Sequence, residues 1–141
     1  MSETPLERAP ASIARERSVW LKREDTHELG AFKWRGALPA LEAYRAGGHE
    51  TILTASTGNH GAATAWAADR LGMRAIVYAP LGATRAKLEL IERFGAELRL
   101  AGETFDDAKD VAEAAAAAEG LPLFVDGAEP AQYTGVSSDR P

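Results

Sequence analysis

The stretch Thr51-Ile52-Leu53-Thr54-Ala55-Ser56-Thr57-Gly58-Asn59-His60-Gly61 decides the fold. Its first five residues are apolar or β-branched and read as a buried strand, and the next four make a short polar turn. From His60 the chain takes a helical pattern as far as Leu71, closed by Gly72. The unit then recurs. Residues 74–79, 96–100 and 121–125 are three further candidate strands, and residues 85–94 and 105–119 are two further helices, closed by Gly95 and Gly120. A glycine just past a helix end supplies the left-handed backbone that other residues resist. The last helix also has a start signal, because the Thr104 hydroxyl caps its first turn while Asp107 reaches back to the free amides. Strand, helix and strand in repetition demand right-handed crossovers, so the expectation is an α/β fold of three layers, a parallel sheet with flanking helices.

Upstream of residue 51 the pattern is less regular. Residues 19–22 predict a strand, and residues 32–45 predict a helix whose apolar stripe is Ala37, Leu38, Leu41 and Tyr44. Pro39 falls inside that helix, where a missing N–H and a steric clash cost about 3 kcal/mol, so a kink or a restart at Pro39 is expected. Downstream, residues 128–141 lack periodicity and read as a loop and frayed tail. The chain thus divides into an N-terminal segment (1–50), a parallel α/β domain (51–127) and the tail (128–141).

The 141 residues carry a formal charge of −5, with the acidic excess lying wholly in the second half. No basic footprint exists for neutralising phosphates, so nucleic acid is not an expected partner. Cysteine is absent, which removes disulfides, thiolate catalysis and cysteine-ligated metals, and His27, His49 and His60 lack metal-ligand spacing. No signal-peptide pattern opens the chain and no apolar run approaches about 18 residues, so a cytoplasmic location without membrane contact is expected.

Two places could carry chemistry. In the loop from Ser56 to Gly61, hydroxyls and helix-start amides form a site for a carboxylate or phosphate, although a capped strand-to-helix turn is the plainer reading. The loop has neither the Walker pattern nor the dinucleotide glycine pattern. His60 suits an acid, a base or a carboxylate ligand, although a helix cap or a packed side chain is the plainer reading. The second place is Lys33, flanked by Phe32, Trp34 and Arg35. Apolar and cationic neighbours suit a nucleophilic amine that condenses with a carbonyl, although taken alone a solvated lysine at a helix start is the plainer reading.

Taken together, Leu21-Lys22-Arg23-Glu24-Asp25, Gly30-Ala31-Phe32-Lys33-Trp34-Arg35-Gly36-Ala37 and Ser56-Thr57-Gly58-Asn59-His60-Gly61 resemble, in order and spacing, the serine/threonine dehydratases of the fold type II (tryptophan-synthase-β-like) pyridoxal-phosphate enzymes. Further echoes are Thr4-Pro5-Leu6, Ala86-Lys87-Leu88 and Phe94-Gly95-Ala96-Glu97, and the resemblance covers residues 4 to about 135. It implies that the parallel sheet is the small domain of that fold and that the N-terminal strand and helix belong to an incomplete larger one. It further implies that Lys33 is the Schiff-base lysine holding pyridoxal 5'-phosphate, that Phe32 lies near the ring, and that Asn59 hydrogen-bonds the cofactor's 3′-oxygen. Ser56, Thr57, Gly58 and His60 would surround the carboxylate of a small amino-acid substrate. The implied reaction is β-elimination of water from serine or threonine, giving a 2-oxo acid and ammonia. Thr57 stands where racemase-like members carry a serine hydroxyl as second acid/base, so amino-acid racemisation is a neighbouring alternative.

After Tyr133-Thr134-Gly135 the sequence departs from that pattern: no glycine-rich phosphate loop follows the last strand, and no later serine or equivalent meets the pyridine nitrogen. The expectation is therefore a truncated, nearly inactive form that holds the cofactor weakly and leaves apolar surface for homo-oligomer formation. Two other readings stay open, a non-catalytic small-carboxylate-binding or interaction module and a flavodoxin-like domain for another anionic ligand.

Overall fold

The computed structural model describes residues 4–15 and 17–137. Strands β1 (Leu6–Arg8) and β2 (Trp20–Lys22) pair antiparallel on either side of the short helix α1 (Ala11–Ala14). A 3-10 turn at Glu24–Thr26 then leads to α2 (Trp34–Ala46). Beyond it β3 (Thr51–Ala55), α3 (Asn59–Leu71), β4 (Arg74–Ala79), α4 (Arg85–Glu92), β5 (Glu97–Leu100) and α5 (Phe105–Glu119) alternate, followed by α6 (Pro130–Val136). No helix among the described residues is long and apolar enough to cross a membrane.

The sheet is parallel, in the order β3-β4-β5, and its central residues are covered on both faces, which is why these strands are almost continuously apolar. On one face Ile52, Ala75 and Val77 pack with α3, with Leu41 of α2 and with Ile91 of α4. On the other, Leu53, Ile76 and Tyr78 meet Ala112 and Ala116 of α5. The split follows from the two-residue period of a strand. Helix α3 is buried from His60 to Ala68 between the sheet and α2, and its alanines keep those layers close.

Residues 121–125 do not form the full fourth strand that their composition predicts. Leu123 makes one parallel bridge to Leu53, in which Leu53 N–H donates to Pro122 O (3.0 Å) and Phe124 N–H to Leu53 O (2.7 Å). The Phe124 carbonyl, which would accept the next rung, instead takes the Thr54 hydroxyl at 2.7 Å and faces His60 Nε2 at 3.3 Å. The segment still lies beside β3, opposite β4, so the α5 connection reverses the direction in which strands are added. At such a reversal a crevice opens beyond the carboxyl ends of the strands.

Helix α2 runs through Pro39 without restarting. Pro39 has no N–H for the Arg35 carbonyl one turn earlier, and α6 packs at this place. A Cβ on Gly135 would lie 1.8 Å from Arg35 O and 2.6 Å from Pro39 Cγ, so only glycine lets the two helices approach this far. Residues 130–136 are therefore helix rather than the expected frayed tail, whose last residues, 138–141, lie outside the described residues. Seven residues are too few for a helix that stands alone in water, and contact with α2 supplies what propensity does not.

A partly buried polar cluster holds the start of α2. The Glu24 carboxylate accepts hydrogen bonds from Thr4 Oγ1 (2.6 Å), Arg35 Nε (3.0 Å) and Trp34 Nε1 (3.1 Å). Burial pushes the Glu24 carboxyl up, but the Arg35 guanidinium and the other donors outweigh it and hold it below its ordinary range. His27 stacks on Trp34 at 4.5 Å, and Trp66 of α3 closes on both rings edge-on. Lys33 immediately precedes these two anchored residues. Gly135→Ala overpacks the contact between α6 and α2 and should lower stability by about 2–3 kcal/mol, read as an earlier urea midpoint and faster proteolysis beyond residue 128. An unchanged midpoint would mean that α6 does not pack on α2.

Candidate active site

Lys33, the loop from Ala55 to His60, Phe105 and Asp126 line one open cleft of about 300 Å³. It lies at the carboxyl end of β3, in the crevice that the chain reversal creates. Ser56 shapes the loop. Its Oγ accepts the amides of Gly58 (3.1 Å) and Gly61 (2.9 Å), curling the turn onto the start of α3. Gly61 is required at that point, since a Cβ there would come within 3.0 Å of Ser56 Cβ and 3.1 Å of Ile91 Cδ1. The Ser56 oxygen is thus engaged internally, while its hydroxyl hydrogen has only the distant Gly58 carbonyl at 3.5 Å. The first-turn amides of a helix point outward along its axis, and here they do so beside Thr57 and Asn59, which makes the loop electropositive toward an anion.

Lys33 Nζ stands 2.5 Å from Asp126 Oδ2 and 5.7 Å from the centroid of the Phe32 ring. Phe32 itself is 44% exposed and is not part of the cleft lining. His60 is buried, its ring packed 4.6 Å from that of Phe124, with Nε2 donating to the Phe124 carbonyl and Nδ1 3.6 Å from Asp126 Oδ1. Burial, aided by the Lys33 charge, holds His60 below the ordinary imidazole range against the pull of Asp126 and the carbonyl. The ring is therefore neutral at neutral pH, with its Nδ1 lone pair on the side of Asp126. For Asp126 partial burial pushes upward, but the Lys33 hydrogen bond and charge, with the Gln132 amide, prevail and hold the carboxyl low.

The structure brings Lys33, Ser56, Thr57, Gly58, Asn59 and His60 together in one cleft, leaves Phe32 outside its lining, and adds two residues that sequence reasoning missed. Asp126 follows an apolar run and precedes Gly127, and Phe105 opens α5, so both stand where strands end or helices begin. The signal that could have found them is the rule that sites gather at the carboxyl ends of parallel strands.

Unfolded, His60 titrates near 6.5; folded, it titrates lower, so below that pH the unfolded chain binds more protons. Stability therefore falls as the pH drops from about 6.5, and His60→Gln should remove part of that slope in urea titrations between about pH 7 and 5. Identical slopes would show that the ring is hydrated in the native state.

Residues 1–138 match the family model described as pyridoxal-phosphate dependent enzyme. The chain is 36% identical over 125 residues to threonine dehydratase 1 biosynthetic, chloroplastic, of Solanum lycopersicum, a match covering 84% of this chain and 20% of that protein. It is 38% identical over 110 residues to serine racemase of Schizosaccharomyces pombe, covering 75% and 33% respectively. The solved structure of the processed form of threonine deaminase isoform 2 from Solanum lycopersicum superposes with a TM-score of 0.90 at 29% identity, over 98% of this chain and 42% of that one. The chain accordingly spans between a fifth and a third of the length of these curated relatives. With the match running through both the lysine segment and the polar loop, the chain belongs to the pyridoxal-phosphate dependent enzyme family.

Proposed function

We propose that the chain forms the lysine-bearing wall of an ammonia-lyase that acts on serine or threonine, with pyridoxal phosphate attached at Lys33. The main support is that Lys33 and the loop from Ser56 to His60, which come from different elements, share one cleft. The donor set fits the cofactor: an amine for its aldehyde carbon, the Asn59 amide for its ring oxygen and helix-start amides for an anion. When bound, pyridoxal phosphate draws electrons from the α-carbon of an attached amino acid and so allows its α-proton to leave.

The chain's own residues then have distinct tasks. Lys33 Nζ, when not bonded to the cofactor, would be the base that takes the α-proton. Thr57, Gly58 and the amides that open α3 hold the substrate carboxylate, with the Ser56 hydroxyl hydrogen and His60 on the same side. Thr57 also places a hydroxyl in the cleft, which favours racemisation as a second reading, in line with the serine racemase relative. Catalysis needs donors preorganised around the reacting atoms, and the described residues furnish one wall, so this length of chain holds the cofactor weakly and turns over slowly.

Incubation with pyridoxal phosphate, reduction with borohydride and peptide mapping should place the adduct at Lys33 in preference to Lys22, Lys87 and Lys109. Lys33→Ala should abolish it, and Asn59→Ala should weaken it several-fold, the worth of a hydrogen bond of about 1 kcal/mol. Labelling spread over all the lysines would overturn the proposal in favour of a non-catalytic carboxylate-binding module.

A further inference from the structure

We propose that Asp126 is the counter-ion that holds the Lys33 amine in the cleft and governs how fast that amine takes up an aldehyde. The proposal rests on Lys33 being the covalent site and adds to it a residue that the sequence did not reveal. Asp126 is the only acid among the described residues lining the cleft, and its Oδ2 lies 2.5 Å from Lys33 Nζ. Its position is built by α6. Gln132 Nε2 donates to Asp126 Oδ1 at 3.5 Å, Gln132 Oε1 accepts Gly127 N–H at 2.9 Å, and the Tyr133 hydroxyl donates to Gly127 O at 2.6 Å. Gly127 has φ 77°, a turn that glycine makes without strain, which carries the chain from Asp126 into that helix. At the other end of the pair, Lys33 is fixed through Trp34 and Arg35 on Glu24.

Two other titratable groups face the pair. His60 of α3 is buried and neutral, and Lys109 of α5 lines an adjoining hollow of about 330 Å³ with Phe105, Val125 and Asp126. The nearest charge to the amine is therefore the Asp126 carboxylate. An amine attacks a carbonyl through its lone pair, which an ammonium does not offer. Uptake of an aldehyde breaks the ion pair: the ammonium releases one proton to solvent, Nζ bonds to the carbonyl carbon, and the carbonyl oxygen leaves as water with the two remaining N–H hydrogens. Borohydride then delivers hydride to the new C=N carbon while solvent protonates Nζ, leaving a secondary amine on Lys33.

The test is time-resolved borohydride trapping on the full chain with pyridoxal, an aldehyde that lacks the phosphate, at low and high salt. At low salt Asp126→Asn should label Lys33 about two- to fivefold faster than the wild type, the scale of a half-exposed ion pair. Asp126→Ser, which also removes the charge, should show the same acceleration, and Asp126→Glu should restore the slow rate. High salt should shrink the differences, while Lys22, Lys87 and Lys109 label alike throughout. Equal or slower labelling of Lys33 in both uncharged variants, with Lys33 still the selective site, would overturn the counter-ion role and leave the covalent-site reading intact. Absence of selective Lys33 labelling in the wild type would overturn that reading and the proposal together.

Discussion

The elements around Lys33 are organised by the pairing of one half-buried carboxylate, Glu24. Its three donors come from the N-terminal segment and from the two residues that open α2, so the ribbon, the 3-10 turn and the helix are tied at one point. Removing either partner would leave the other largely desolvated and unpaired, which keeps these segments from rearranging separately. Arg35 and Trp34 are both buried, while Lys33, one residue earlier, keeps its amine in the cleft. Anchoring neighbours and an accessible amine are what a residue needs if it is to be both placed and reactive.

The second wall of the cleft depends on a different constraint, the competition for one carbonyl. Phe124 O takes the Thr54 hydroxyl and faces His60 Nε2 in place of a ladder rung. Residues 121–125 thereby stop pairing with β3 just before Asp126, and the chain turns at Gly127 toward α6. The same carbonyl orients the His60 ring, whose burial keeps it neutral beside a carboxylate and an ammonium. The end of a strand, the tautomer of a histidine and the placement of an acid thus follow from the same few hydrogen bonds. Helix α6 completes this wall by holding the turn after Asp126 through Gln132 and Tyr133.

Much of the alternating part was legible because its signals are local. Gly72, Gly95 and Gly120 take the left-handed conformation at or just past the helix ends that the sequence marks, and Thr104 and Asp107 form the capping pair that starts α5. The lysine segment and the loop from Ser56 to His60 could be named from order and spacing, and the structure brings them into one cleft. Three features escaped for physical reasons. Helix α6 is too short to announce itself and depends on the gap that Gly135 leaves against Arg35 and Pro39. Residues 121–125 have strand composition, but a side-chain hydroxyl and an imidazole claim their next rung. The loop-shaping role of Ser56 escaped too, since its oxygen accepts two amides of its own loop and leaves its hydroxyl hydrogen for a ligand.

The sequence by itself determined the parallel α/β class, the ends of most helices and the residue types of the candidate site, because periodicity, caps and glycines act over a few residues. Only the tertiary structure decided that Lys33 meets Asp126, that His60 is neutral, and that α6 buttresses the cleft. Those outcomes depend on burial and on charges brought together from distant parts of the chain, and neither quantity is written in any local stretch.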